Sequence, residues 1–228
     1  MSRVSFLRHA GCVSPEDLTV PVVVIGCGAV GSHVALMAAK MGFTNFVLYD
    51  KDVVEEHNLP NQTYEVSHVG MNKVEALTEV LQRFNPEVSV ESHIEFLTEA
   101  NASALRGFVV ISTDNMESRK LIIKAATLNI SVDGIFEARL GFDYGEVNVA
   151  DPLSVEDCDN FTNGLKDDKD IPEGPCNLRI CTTLVGLVSS YLVHQMCALA
   201  AAKKESQPWT YKRKSVFNLT PTLQHIAF

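Results

Sequence analysis

The sequence has little that would tie it to nucleic acid, to a bound metal or to an oxidising compartment. Basic residues are the minority, 19 against 28 acids, and the formal charge is −9. A sequence-independent grip on DNA or RNA needs a basic face, so no nucleic-acid partner is expected. Six cysteines stand at positions 12, 27, 158, 176, 181 and 197, and no two are spaced as CxxC, which excludes a zinc ribbon and a thioredoxin motif. Among the histidines there is no HExxH pair, and neither a GxSxG elbow nor a Walker GKS or GKT ending occurs. Metalloprotease, serine-hydrolase and P-loop chemistry therefore have no support. The opening MSRVSFLRHAG lacks the apolar core of a signal peptide. Free thiols and a cytoplasmic location are the expectation.

Charge is also missing from residues 180–202, which contain no Asp, Glu, Lys or Arg. About 20 such residues can span a bilayer. Yet Thr182, Thr183, Ser189, Ser190, His194 and Gln195 interrupt the run, and lipid penalises them. The expectation is a helix buried within the protein or across a subunit interface, not a membrane span.

What is present fits one large domain. The chain has 228 residues, 46% of them hydrophobic and 21% charged, which excludes wholesale disorder. A chain of this length buries roughly 70% of its unfolded surface and needs no disulfide or metal to form a core. Residues 21–25 are a β-branched run that reads as a buried parallel strand, and residues 30–41 as a helix stopped by Gly42. Further strands are expected at 45–49, 88–90 and 107–111, with helices at 69–84, 98–105 and 117–128. Alternation of strand and helix predicts an α/β fold, a Rossmann-like, mostly parallel sheet flanked by helices. Residues 145–150 alternate with period two, as in a strand with one wet face. Residues 151–175 carry eight acids against two lysines, with several prolines and glycines, and read as a structureless acidic segment. The expected organisation is one domain over 1–228. It divides into a nucleotide-binding part (1–150), an acidic crossover loop (151–177) and a carboxy-terminal helix and antiparallel strands (178–228).

Gly26-x-Gly28-x-x-Gly31 follows a predicted strand and opens a predicted helix, the setting that gives a GxGxxG meaning. The glycines permit a tight turn, and the backbone amides of Gly28, Ala29 and Val30 can approach phosphates at the positive helix end. Asp50 ends the second strand 19 residues past Gly31, where an acid can accept from a ribose hydroxyl. Taken alone, these features suit a dinucleotide oxidoreductase.

The following residues point elsewhere. Leu48-Tyr-Asp50-Lys-Asp52-Val-Val-Glu-Glu-His-Asn58-Leu-Pro-Asn61-Gln62 precedes Lys73, and Ser112-Thr-Asp114-Asn115 comes later. This order resembles the ThiF/MoeB/HesA, or ubiquitin-activating-enzyme, superfamily of adenylyltransferases, whose motifs are GxGxxG, LxDxDxVxxxNLxRQ, a downstream lysine and a TDN. The resemblance implies adenylation of the carboxy-terminal carboxylate of a ubiquitin-like or sulfur-carrier protein by ATP and Mg²⁺, with release of pyrophosphate. It implies phosphate charge compensation by Lys73, Mg²⁺ at Asp114, polar contacts from Asn58, Gln62 and Asn115, and a ribose contact at Asp50. Asp52 is either a second polar contact or a solvated loop acid. Arg119, five residues past Asp114, is equally a salt-bridge residue or a substrate contact.

Two departures stand out. Asn61 occupies the place where the family usually has an arginine. Phe6-Leu-Arg8-His9 resembles the family's amino-terminal RYxRQ, whose arginine crosses a dimer interface, so Arg8 is the candidate to replace the missing charge in a homodimer. The family's CxxC pairs are absent, and no zinc is expected. Thioester formation after adenylation would fall to Cys176, in a Gly-Pro-Cys setting before the long helix, with Cys158 next; Cys27, Cys181 and Cys197 read as small buried residues. The rival readings are a non-catalytic scaffold subunit, adenylation of a small molecule, peptide or tRNA-borne carboxylate, and a NAD-dependent oxidoreductase.

Overall fold

The computed structural model describes residues 4–9, 13–141, 143–165, 181–203, 211–219 and 223–228. Its centre is an eight-stranded sheet in the order β3-β2-β1-β4-β5-β6-β7-β8. Strands β1 (Val22–Ile25), β2 (Asn45–Tyr49), β3 (Ser89–His93), β4 (Gly107–Ile111) and β5 (Val132–Leu140) run parallel. Strands β6 (Tyr144–Ala150), β7 (Lys214–Asn218) and β8 (Gln224–Ala227) extend the sheet antiparallel, as expected. β1 and β4 are fully buried, which is why they read as continuous apolar runs rather than alternating ones. The strand order reverses between β1 and β4, and in open α/β sheets the ligand crevice lies beyond the carboxyl ends of strands at such a point.

Helices α1 (Ala29–Met41), α2 (Lys73–Phe84) and α5 (Thr182–Lys203) join one face of the sheet in a core that includes Val34, Phe43, Leu77, Phe108, Val188 and Leu192. Helix α3 (Met116–Ala126) and helix α4 (Val155–Asn163) cover the other, around Ile25, Ile111, Ile122, Ile135 and Phe161. Gly42 ends α1 with φ +123°, a left-handed conformation that glycine adopts without strain.

Four local expectations change and a fifth is narrowed. The segment 151–175 is not structureless throughout, since it contains α4. Ser154 caps that helix by accepting from the Asp157 amide at 3.1 Å, and Glu156 and Asp157 sit in the first turn, where negative charge favours the helix dipole. Residues 98–105 form only a 3-10 turn at Ala102–Ala104, and α2 begins at Lys73 rather than at residue 69. The alternating strand has no wet face. Val147 and Val149 of β6 join the α5 side, while Glu146 and Asn148 are buried on the other side in a hydrogen-bonded charge network. Finally, α5 is long and apolar enough to cross a membrane, but 72% of its apolar window is buried within the chain. Its lack of charge follows from packing against α1, β5 and β6, so it offers no separate argument for a subunit interface.

Candidate active site

The carboxyl ends of β1 and β4 bring the glycine loop and the Ser112-Thr113-Asp114 turn together. Gly26 has φ +93°, and a Cβ there would stand 2.7 Å from the Ser112 carbonyl oxygen. At Gly31 a Cβ would lie 1.9 Å from the Gly26 oxygen, so α1 approaches the loop too closely for any side chain. Ser112 locks the contact: its hydroxyl donates to the Gly26 oxygen at 2.7 Å and its amide to the Ile25 oxygen at 2.9 Å. Gly28, the N-cap of α1, differs, because a Cβ there meets nothing within 4 Å. The first amides of α1, at Ala29 and Val30, have no carbonyl of their own helix to bind, and a Gly28 side chain would stand in open space next to them in the chain.

Asp50 closes the loop from the β2 side. Its carboxylate accepts from the Cys27 amide at 2.7 Å and the Asp52 amide at 2.8 Å. Burial pushes its pKa up, against those two amides, which favour the charged form. Asp52 resolves to an ion-pair residue: its carboxylate lies 3.1 Å from Lys73 Nζ. Lys73 is nearly buried at the start of α2, with 11% of its side chain exposed against 55% for Asp52. Tyr64, which the sequence reading passed over, joins the pieces. Its hydroxyl donates to the Cys27 oxygen at 2.6 Å and lies 3.3 Å from the Lys73 oxygen. Burial, with Cys27 and Asp50 nearby, drives its pKa far above the ordinary tyrosine range, so it remains a donor.

Between these elements runs the segment 55–63. Asn58 is buried and spends its carboxamide oxygen on the Glu55 amide at 2.9 Å. Its own carbonyl accepts from the amides of Asn61 and Gln62 at 3.2 and 3.0 Å. Asn58 therefore shapes the loop. The buried side-chain oxygens of Asn61 (Oδ1), Gln62 (Oε1) and Thr63 (Oγ1), and Thr113 Oγ1 across the crevice, have no hydrogen-bond partner in the protein. Buried polar atoms normally find one, and these four fall on the two segments that carry the predicted site residues Asn61, Gln62 and Asp114. Thr182 donates to the Pro60 oxygen at 2.9 Å, docking the start of α5 on the same segment.

Asp114 is exposed just beyond β4. Asn115 caps α3, its side-chain oxygen accepting from the Ser118 amide at 2.8 Å. Arg119 is a salt-bridge residue, paired with the fully buried Glu137.

A family model described as the ThiF family matches residues 16–224. The chain belongs to the ThiF family. Among its relatives, ubiquitin-like modifier-activating enzyme 5 of Caenorhabditis elegans is 36% identical over 94 residues, which cover 40% of this chain and 22% of that protein. The adenylyltransferase and sulfurtransferase MOCS3 of Anopheles gambiae is 35% identical over 111 residues, 47% of this chain and 25% of that one. The chain thus matches about a quarter of the length of these relatives. In solved structures the fold recurs in PaaA, with TM-score 0.74 and 19% identity, and in E. coli MccB with ATP, with TM-score 0.70 and 17% identity. Either superposition covers 94% of this chain and 65% of the other.

Within this ThiF-family fold hydrogen bonds tie the loop of Gly26, Gly28 and Gly31 to Asp50 through the Cys27 amide, Asp50 to Asp52, Asp52 to Lys73, and Asn58 to Asn61 and Gln62, while Asp114 and Asn115 follow β4, the strand paired with β1. Arg8 is exposed, in a 3-10 turn at Leu7–His9. Cys176 lies outside the described residues. Cys158 is 2% exposed in α4, and burial first, with neighbouring acids, raises its pKa, which disfavours a nucleophilic thiolate. Cys181 is not the buried residue expected. It is partly exposed at the start of α5, with Sγ 2.8 Å from the Thr183 hydroxyl. That hydroxyl and the Leu184 and Thr183 amides lower its pKa.

Proposed function

We propose that this chain adenylates a carboxylate with ATP, and that the carboxylate is the carboxy-terminus of a small ubiquitin-like or sulfur-carrier protein. The observation that carries the reading is the Tyr64 bridge, which sets the nearly buried Lys73 beside the glycine loop. A dinucleotide oxidoreductase has no need of a sheltered cation there. Attack of a carboxylate on the α-phosphate concentrates negative charge, and a preorganised cation offsets it. One carboxylate oxygen forms the bond to the α-phosphorus as the bond to pyrophosphate breaks. The first amides of helix α1 would bind the phosphates, and Asp50 would accept from a ribose hydroxyl.

Among the described residues no three His, Cys, Asp or Glu side chains gather as a metal site. Mg²⁺ does not require such a group, since it is commonly held by one or two carboxylates plus substrate phosphates and water. Asp114 would hold it, and Mg²⁺ bound there neutralises phosphate charge. The expected result is that calorimetry detects Mg²⁺-dependent ATP binding and no NAD binding, and that mass spectrometry finds AMP on a carrier ending in Gly-Gly. NAD binding without ATP binding would reject the assignment.

A homodimer in which Arg8 of one copy serves the other's site is part of the proposal, because Asn61 leaves the phosphates one cation short of the family pattern. Light scattering is expected to give twice the chain mass, and Arg8→Ala to slow adenylation. A monomer with full activity after that substitution eliminates this feature. The scaffold reading is favoured by Asn61 alone and opposed by the retention of Lys73 and Asp114.

A further inference from the structure

Glu137 lies in β5, one strand from the crevice, opposite Ile111 of β4, and has no exposure. A buried carboxylate is tolerated only when paired and hydrogen-bonded. Three side chains meet it. Arg119 Nη1 donates to Oε1. Arg139 Nε donates to both oxygens, at 3.0 and 2.9 Å, with its Nη2 2.8 Å from Oε2. Asn148 Nδ2 donates to Oε2 at 3.1 Å. Arg119 has a second task. Its Nε donates to the Thr113 oxygen at 2.9 Å, and its Nη1 reaches the Ala138 oxygen at 3.3 Å. The Thr113 oxygen belongs to the peptide unit that carries Asp114.

We infer that Glu137 is a positioning residue of the site. It fixes the Arg119 guanidinium, Arg119 fixes the Thr113–Asp114 peptide, and the direction of the Asp114 carboxylate follows. Glu137 itself touches no substrate. The inference rests on the adenylation reading for the role of Asp114, although the mechanical coupling exists whatever the substrate. Stability alone is a poor reason for the arrangement, because buried ion pairs are often replaceable by apolar groups at no loss. Geometry is the better one: a planar guanidinium fork can serve Glu137, Thr113 and Ala138 at once, and an ammonium cannot.

The test uses Glu137→Gln and Arg119→Lys. In the nucleotide-free protein, amide hydrogen exchange across residues 112–116 is expected to quicken in both variants, while residues 26–31 remain protected. In ATP–pyrophosphate exchange, kcat is expected to fall by about 10- to 100-fold, the usual cost of removing a partner that orients a metal-binding group. The Mg²⁺ concentration for half activity rises, without a matching rise in KM for ATP. Two folded variants that melt at lower temperature yet keep the wild-type exchange pattern and turnover would overturn the inference. If Glu137→Gln does not fold, Arg119→Lys decides, since it keeps a cation beside Glu137 and loses only the fork. If the wild type shows no pyrophosphate exchange even with a partner protein ending in Gly-Gly, the adenylation reading fails, and amide exchange still decides the positioning claim.

Discussion

Replacing Lys73 with alanine is expected to lower kcat/KM for ATP–pyrophosphate exchange by about 10²–10³-fold, the scale of removing one preorganised donor from a developing anion. The fold should hardly notice. The partner, Asp52, is 55% exposed and can be rehydrated, so the pair contributes at most ~1 kcal/mol. For a chain of this size that moves the melting temperature by roughly 2–4 °C. The separation between a large kinetic loss and a small thermal one is the useful signature. A structural lysine gives the opposite pattern, a lower melting point with turnover intact. A non-catalytic scaffold shows no exchange before or after the substitution.

The glycine loop yields the second large effect, and it is a contrast between two alanines three residues apart. Gly31→Ala puts a methyl 1.9 Å from the Gly26 oxygen and 2.7 Å from the Ser112 hydroxyl. Backbone must move, in a loop tied to β4 by the hydrogen bonds of Ser112. A cost above about 4 kcal/mol is expected, which lowers the melting temperature by roughly 8 °C or more or prevents folding. Gly28→Ala meets nothing within 4 Å, and its stability should remain within about 1 kcal/mol of the wild type, the scale of an N-cap change. Its loss falls on ATP, because the methyl occupies the approach to the α1 amides. A tenfold or greater rise in Kd, about 1.4 kcal/mol, is the expected calorimetric result. Equal loss of stability in both variants would show that Gly28 serves packing, not phosphate.

Much of this site is legible from local pattern. The glycines, Asp50 and the turn at Asp114 sit at strand ends whose apolar runs are unmistakable, so their convergence follows from the parallel order of β1, β2 and β4, and Lys73 opens the helix after β2. What escaped reading is non-local. The alternation of residues 145–150 gives the period of β6 but not what covers its polar face. Glu146 and Asn148 look solvated in sequence, and in the fold they meet Glu137, Arg139 and Lys214. Arg119 and Glu137 are 18 positions apart on different elements, and no spacing rule joins them. Helix α4 was hidden by composition: the acids that suggested a loop include Glu156 and Asp157 of its first turn. Asp157 is itself buried, 3.2 Å from Arg213, so part of the acidity of this region is neutralised internally and is not presented to a carrier. Tyr64 gave no signal at all, since its role depends on a hydroxyl reaching two backbone oxygens on separate elements.

Whether ATP is activated beside the glycine loop for a carboxylate decides the function of this chain. Exchange of labelled pyrophosphate into ATP, measured with and without a partner protein ending in Gly-Gly, addresses that directly. The expected result is exchange that requires Mg²⁺ and the partner, disappears in Lys73→Ala, and fails when the partner's terminal carboxylate is amidated. Exchange that ignores the partner's carboxylate, or ATP binding with no exchange for any carboxylate offered, would contradict adenylation as the function of this chain.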